Sequence, residues 1–108
     1  MSKVCVSVLV LLSLAGCSSP DPNSDEAICR DFREVGDDFL EDMTAMSRKS
    51  AAIIFVENLR ILSSRAEGNL ATELSKMADS YEKEWDGDYY IGTFDGAKLG
   101  AICDAATQ

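Results

Sequence analysis

Two long stretches of the chain carry an apolar residue at every third or fourth position, which is the spacing that places side chains on one face of an α-helix. The first stretch, with acidic residues between the apolar ones, predicts a helix over 24–46. The second predicts a helix over 68–86. Asn23 and Glu26 have the spacing of a capping box at the start of the first helix. The apolar positions are Ile28, Phe32, Val35, Phe39, Met43 and Met46 in the first stretch, and Leu70, Leu74, Met77, Tyr81 and Trp85 in the second.

A more continuous apolar segment lies between these two helices. Residues 51–56 are all apolar, and Ser47 precedes them at a position suited to cap a helix. The length from Ser47 to Ser64 favours a central helix covered on most sides, whereas the β-branched residues in the run leave a buried strand as the alternative. Ser64 and Glu67 have the spacing of a second capping box.

Turn-forming and aromatic residues follow the third predicted helix. The sequence Asp-Gly-Asp at 86–88 predicts its end, because glycine accepts the left-handed conformation of a helix cap. Residues 89–94 have β-propensity, but they are few and lack an obvious partner strand. We therefore expect an ordered loop there.

Small residues recur every four positions near the end of the chain, at Gly92, Gly96 and Gly100. On a helix this spacing creates a face that allows another helix to approach closely. We expect a fourth helix over 94–105, packed inside the bundle through that face. The predicted fold is all-α, a small bundle of three to four helices.

The first residues of the chain differ from everything that follows. Lys3 is the only charged residue in 1–17, and the stretch 4–16 is apolar or small. A membrane-spanning helix needs about 20 residues, so this stretch is too short to span a bilayer. A charged start followed by a short apolar core instead indicates a secretory signal.

This segment ends in Leu14-Ala15-Gly16-Cys17, which resembles the lipobox of bacterial lipoproteins. The alternative is an ordinary secretory signal that happens to end in cysteine. The resemblance implies that a type II signal peptidase removes 1–16 and that Cys17 carries a diacylglycerol and two or three acyl chains in total. Two chains suffice for stable membrane anchoring.

A polar stretch that contains both prolines of the chain follows the predicted lipidation site. We expect 17–24 to be a lipidated cysteine and a flexible tether, and 25–108 to be the helical domain. Seven extended residues reach about 23 Å, so the domain would sit close to the extracytoplasmic face of the membrane. Because Ser18 rather than aspartate follows Cys17, sorting to an outer membrane would be permitted in a two-membrane bacterium.

The remaining cysteines of the exported chain are Cys29 and Cys103, because Cys5 would leave with the signal. An oxidising compartment favours a disulfide between them. Such a bond would join the first and last helices and stabilise the domain by roughly 4 kcal/mol in the chain-entropy model. A redox role is the alternative, but the pair lacks Cys-x-x-Cys spacing and a basic cluster that would lower a thiol pKa.

The charge balance excludes several classes of function. The chain has 19 acidic and 10 basic residues, no histidine and a net charge of -9. Nucleic-acid binding relies on basic residues, and imidazole catalysis and histidine metal sites need histidine. The acids at 86–88 with Asp95 lack the spacing of a calcium loop. We therefore expect no enzyme activity, no metal and no cofactor other than the lipid on Cys17.

Two groups of residues are candidates for partner contact. Tyr89 and Tyr90 cannot both point inward from an extended loop, and tyrosine is enriched in binding hot spots. Tyr81 and Trp85 lie on the apolar stripe and are expected in the core. The second group could bind a basic partner or could simply form a solvated face that aids solubility: Asp37, Asp38, Glu41 and Asp42.

The sequence leaves three hypotheses of function. The first is a non-enzymatic binding or interaction module that holds an envelope protein at the membrane surface. The chain is also similar in size, acidity and its two spaced cysteines to small lipoproteins of actinobacteria and their phages, which implies a phage superinfection-exclusion or inhibitor protein as the second. The third is a small-ligand carrier, which requires a real cavity.

Overall fold

The computed structural model describes residues 21–107, and these residues form the predicted all-α bundle. The predicted lipidation site at Cys17 lies outside the described residues. Short connections join four helices, and a hairpin of two strands, each two residues long, lies between the third and fourth helices. The elements are α1 (Asp25–Ala45), α2 (Arg48–Arg65), α3 (Gly68–Lys83), β1 (Trp85–Asp86), β2 (Tyr89–Tyr90) and α4 (Ala97–Ala106).

Helix α1 begins at a different cap from the one predicted. The Ser24 side chain accepts the backbone N–H of Ala27, so Ser24 is the N-cap. The predicted Asn23–Glu26 capping box is therefore wrong. Asn23 lies one residue before the N-cap, and its side chain accepts a hydrogen bond from Arg65 instead. Met46, predicted on the apolar stripe, is an exposed C-cap.

Helix α2 is central, as predicted, and the strand alternative is wrong. Ser47 caps it by accepting the backbone N–H of Ser50, and the helix packs against both α1 and α3. It is not covered on most sides, however. Within the apolar run the alanines, Phe55 and Val56 are buried, whereas Ile53 and Ile54 are exposed because the helical turn directs them outward.

Helix α3 begins at Gly68 as predicted, but its predicted cap and its predicted end are wrong. The Ser64–Glu67 box does not form: Ser64 donates to the carbonyl of Ile61, and Glu67 is an N-cap without a side-chain bond. The helix ends at Lys83 rather than continuing to 86, because the chain turns into a hairpin at Trp85.

The predicted small-residue face is wrong. Helix α4 begins at Ala97 rather than at 94, so Gly92 lies before it and Gly96 is its N-cap. A Cβ added at Gly100 would meet no atom within 4 Å, so no close helix approach occurs there. The helix is anchored instead by Leu99, which is buried.

One hydrophobic core joins the four helices. Its fully buried large side chains are Ile28 from α1, Leu59 from α2, and Leu70 and Leu74 from α3. Burying side chains of this size stabilises a fold by roughly 1.5–3 kcal/mol each. The apolar stripes of the first and third predicted helices thus supply core residues and the partly buried side chains that pack against them, except at Met43, Met46 and Trp85.

The predicted disulfide is present. Cys29 in α1 is bonded to Cys103 in α4, with 5.5 Å between their Cα atoms and a sequence separation of 74. Helix α4 is short and shares few neighbours with the other helices, so the covalent bond fixes its position.

The last residues of the predicted tether belong to the folded domain. Asp21 accepts backbone N–H bonds from Asn23 and Ser24, which closes a turn before α1. Arg65 at the end of α2 donates to the Pro22 carbonyl at 2.7 Å and to the Asn23 side chain at 3.2 Å. The chain therefore enters the bundle beside the α2 C-terminus.

Candidate functional site

Five aromatic rings pack together at the end of the bundle opposite that entry point. Phe39 and Phe55 are stacked with centroids 4.4 Å apart, and Tyr81 meets both edge-on at 5.9 and 5.2 Å. Tyr90 stacks on Tyr81 at 4.3 Å, and Trp85 meets Tyr90 edge-on at 5.5 Å. Offset and edge-to-face ring pairs stabilise by about 0.5–1.5 kcal/mol beyond area burial. These five residues are called the aromatic cluster below.

A hairpin brings two of these rings to the helices. Residues 89–90, expected in a loop, pair antiparallel with Trp85 and Asp86, with Trp85 opposite Tyr90. Gly87 supplies the turn with a φ of 62° that other residues rarely adopt. The glycine therefore has the predicted left-handed conformation but serves the hairpin rather than a helix cap. Residues 89–90 therefore do form a strand, and its partner strand begins at Trp85, the last residue of the apolar stripe of α3.

The tip of the hairpin is fixed by a helix N-terminus. The Asp88 carboxylate accepts the backbone N–H of Lys49 at 2.8 Å and that of Arg48 at 3.3 Å. These are N–H groups of the first turn of α2, which have no partner within the helix, and negative charge is favoured at that end. Asp88 thus caps a helix some forty residues earlier in the chain.

The base of the hairpin is held by polar contacts around Tyr90. Its hydroxyl is hydrogen-bonded to the buried Ser80 hydroxyl, which also donates to Glu84 at 2.7 Å. The indole N–H of Trp85 donates to the Tyr81 carbonyl at 2.6 Å. A Cβ at Gly92 would overlap Tyr90, so this position requires glycine.

An open groove of about 550 Å³ runs along the aromatic cluster. We call it the aromatic groove. Helix α1 forms one wall, the hairpin and the end of α3 form the other, and most lining side chains are apolar. Leu40 and Tyr89 stand at its edges, 60% and 68% exposed. The lining residues are Phe39, Leu40, Met43, Thr44, Arg48, Tyr81, Trp85, Tyr89 and Tyr90.

A smaller groove of about 200 Å³ lies on the other side of Trp85. It runs between α2 and α3, and Ile53 stands in it 62% exposed. Trp85 and Tyr81 separate the two grooves. The Trp85 indole is therefore accessible to solvent from both grooves. Trp85 and Tyr81 were expected in the core, but both side chains are only half-buried.

The two candidate tyrosines have different environments. Tyr90 is half-buried against Tyr81, and Tyr89 is exposed, as the alternation of a strand requires. The expectation that one of the pair is exposed is confirmed. Tyr89 is the one whose ring is free to contact a partner.

The four candidate acids of α1 do not share one surface: two lie next to the aromatic groove and two lie elsewhere. At about 100° per residue, Asp37 and Glu41 lie on the same side of α1 as Leu40 and Thr44, next to the aromatic groove. Both are exposed. Asp38 instead lines a separate depression with Arg65, and Asp42 is half-buried. Within residues 21–107 none of the four forms an ion pair.

The pKa values of Tyr81 and Arg60 are raised above their ordinary values. Burial raises the pKa of Tyr81, and the neighbouring Tyr90 raises it further. Hydrogen bonds to Asp79 and Glu82 raise the pKa of the Arg60 guanidinium, which bridges α2 to α3 at 2.8 and 2.7 Å. Neither shift brings a group near neutral pH, where a general acid or base works best.

Two of the three acids near the hairpin, Asp88 and Asp95, have structural roles. Asp88 caps α2, and the Asp95 side chain accepts the backbone N–H of Ala97 at the start of α4. In the part of the chain that the structure describes, no three histidine, cysteine or acidic side chains are placed to hold a metal ion.

Two residues important to the groove were not found by sequence reasoning. Leu40 breaks the apolar stripe of α1, since it follows Phe39 directly and points among acidic residues. An isolated leucine on a charged helix face was the available signal. The capping role of Asp88 had no local signal, because its partners lie in another helix.

Scans against protein-family models, curated proteins and solved structures found no match to this chain. No helix within residues 21–107 has both the length and the apolarity needed to cross a bilayer.

Proposed function

We propose that this protein is an exported lipoprotein, anchored through Cys17 at the extracytoplasmic face of a membrane, and that it is a non-enzymatic binding module for an envelope protein. The aromatic groove carries the second part of this proposal. Its walls combine tyrosine, tryptophan and methionine, the side chains most enriched in protein interfaces. Its edges expose Leu40 and Tyr89, which have no core to fill.

The position of the groove supports contact with a partner above the membrane. The chain enters the bundle at Ser24, and Leu40 lies sixteen residues further along the same helix. At 1.5 Å per residue this separates the tether from the groove by about 24 Å. A domain tethered at one end therefore presents the groove at the other.

A small-ligand carrier is the second candidate, favoured by one observation. A volume of about 550 Å³ lies within the range of small-molecule sites, about 300–1,000 Å³. Such sites enclose most of the ligand surface, however, whereas two edges of this groove are open to solvent. An open, aromatic groove is better suited to side chains that protrude from another protein.

In-cell photo-cross-linking tests the binding function. A photoreactive residue replaces Leu40 at the groove, and in a matched control it replaces Ile61, which is 55% exposed on α2 and outside the groove. We expect a discrete protein adduct at position 40 that is absent at position 61. Equal adducts at both positions, or none at position 40, would contradict the binding function.

The anchor is tested separately. Cells are supplied with a fatty acid carrying a click-chemistry handle, and the protein is compared with a Cys17→Ala variant. We expect label in the native protein and none in the variant, which would leave the membrane fraction. A native protein that carries no label would contradict the lipoprotein assignment without affecting the groove.

A further inference from the structure

We infer that the aromatic groove takes a basic, apolar segment of a partner protein, with the cationic side chains of that segment directed toward Asp37 and Glu41 and away from Arg48. This inference rests on the proposed binding function and specifies its partner. It is derived from the apolar lining of the groove and the unequal charges on its two sides.

The apolar part of the segment follows from the groove walls. Tyr81, Trp85 and Tyr90 present ring edges and faces that are already fixed by stacking and by the hairpin. Ordered rings lose little conformational freedom on binding, so an apolar side chain inserted among them gains burial at low entropic cost. Met43 adds an adaptable thioether to the same wall.

The basic part follows from the α1 side of the groove. Asp37 and Glu41 lie about 60° and 100° around α1 from Leu40, so they border the groove without lining it. Neither acid forms an ion pair within the described residues. The chain as a whole has a net charge of -9, which adds a long-range attraction for cations.

Arg48 sets the orientation. It is the one cationic side chain among the residues that line the groove, and it lies where α2 begins, beside the hairpin tip. Its backbone N–H is bound by Asp88, but its guanidinium forms no ion pair among residues 21–107. Its positive charge, which the nearby Asp88 carboxylate offsets only in part, disfavours cationic side chains of a partner beside the hairpin. The acids of α1, which form no ion pair among residues 21–107, attract them to the opposite wall of the groove.

Two other occupants fit less well. A second copy of this chain would bring another net charge of -9 toward the same acidic wall. A membrane of anionic lipids would be repelled by these acids, and the groove lies about 24 Å from the tether along α1. Both remain outcomes of the test.

The test measures peptide binding to the full-length lipidated protein in a non-ionic detergent. Two peptides of equal length share the same leucine and phenylalanine positions, and one carries lysine where the other carries glutamate. We expect the lysine peptide alone to bind. We expect Glu41→Lys to weaken it about fivefold and Arg48→Glu to strengthen it by a similar factor, since each reverses a charge at the groove.

The matched control is Asp104→Lys, which makes the same charge change on an exposed residue of α4 away from the groove. A drop as large as that of Glu41→Lys would mean that only overall charge matters, and this would overturn the inference. Preferential binding of the glutamate peptide, binding of anionic vesicles, or self-association lost on Leu40→Ser would overturn it as well.

The two failures are distinguishable. If either peptide binds and Leu40→Ser abolishes binding, while the charge variants change nothing, the groove is a binding site but the partner is not basic. If no peptide binds and the cross-linker at position 40 also captures nothing in cells, the proposed binding function fails with the inference.

Discussion

The two ends of the bundle are built from different interactions. At the tether end, where the chain enters, the Cys29–Cys103 disulfide joins α1 to α4, and Arg65 binds Asp31 at 3.0 Å as well as the Pro22 carbonyl. At the aromatic end, stacked rings and a hairpin cover the core only partly. The tether end is cross-linked, and its surface depression is lined mostly by polar side chains, whereas the aromatic end leaves an apolar groove open. In the proposed function the tether pulls on the first end and a partner binds at the second.

Loss of the disulfide is expected to have the largest effect. Replacing both Cys29 and Cys103 with serine removes a cross-link that closes a 74-residue separation, and we expect a loss of about 4 kcal/mol in the free energy of unfolding. Chemical denaturation followed by Trp85 fluorescence measures it. In the absence of denaturant the fluorescence of Trp85 should match that of the native protein, because Trp85 lies outside the hydrophobic core that contains Cys29 and against which Cys103 packs. A Trp85 emission spectrum of the double variant that differs from that of the native protein without denaturant would contradict the separation of the two ends.

The next largest effect is expected at Gly92. A Cβ there overlaps the Tyr90 ring and the Glu84 carboxylate, so Gly92→Ala should destabilise the protein by about 1–3 kcal/mol and displace the hairpin. Gly100→Ala is the matched control. Position 100 lies inside α4 with open space around it, and alanine should stabilise that helix by about 0.5–1 kcal/mol. Thermal unfolding that ranks the two variants in the opposite order would contradict the described contacts.

Removal of the hairpin-to-helix contact is expected to have a smaller effect. Asp88→Ala leaves the first N–H groups of α2 without their carboxylate, and a lost cap of this kind costs about 1 kcal/mol. Asp86→Ala removes an exposed carboxylate from the same hairpin and should be neutral. Denaturant titration compares the two. Equal stabilities would show that Asp88 does not cap α2.

The smallest predicted effect appears only at alkaline pH. The raised pKa of Tyr81 means that the folded protein keeps its phenol proton after the unfolded chain has begun to lose it, near pH 10. The stabilisation is therefore complete below pH 10 and is lost as the pH rises through the higher folded pKa. Tyr81→Phe should reduce this loss, whereas Tyr89→Phe, at an exposed ring, should not. Melting temperatures between pH 8 and pH 11 measure both.

The sequence predicts the tether end better than the aromatic end. Helical periodicity gave α1, and the length of the segment that Ser47 caps gave α2, each to within one residue at both ends, because these are local properties of the chain. The disulfide followed from cysteine number and expected compartment. These features need only the chain itself and its environment.

The hairpin could not be predicted because its partners are distant in sequence. Trp85 fits the α3 stripe, yet it pairs with Tyr90 and leaves the helix. Asp88 accepts hydrogen bonds from the start of α2, and Tyr90 reaches Tyr81 only because the chain reverses at Gly87. Tertiary contacts therefore overrode the local helical pattern at 84–86.

One cross-linking comparison tests the division of the molecule most directly. A photoreactive residue is placed at Tyr89 on the aromatic end and, in a second strain, at Arg30, which is exposed beside the disulfide at the tether end. Both proteins keep Cys17. We predict a specific protein adduct at position 89 and none at position 30. Adducts at position 30 alone, or equal adducts at both positions, would contradict the assignment of binding to the aromatic end.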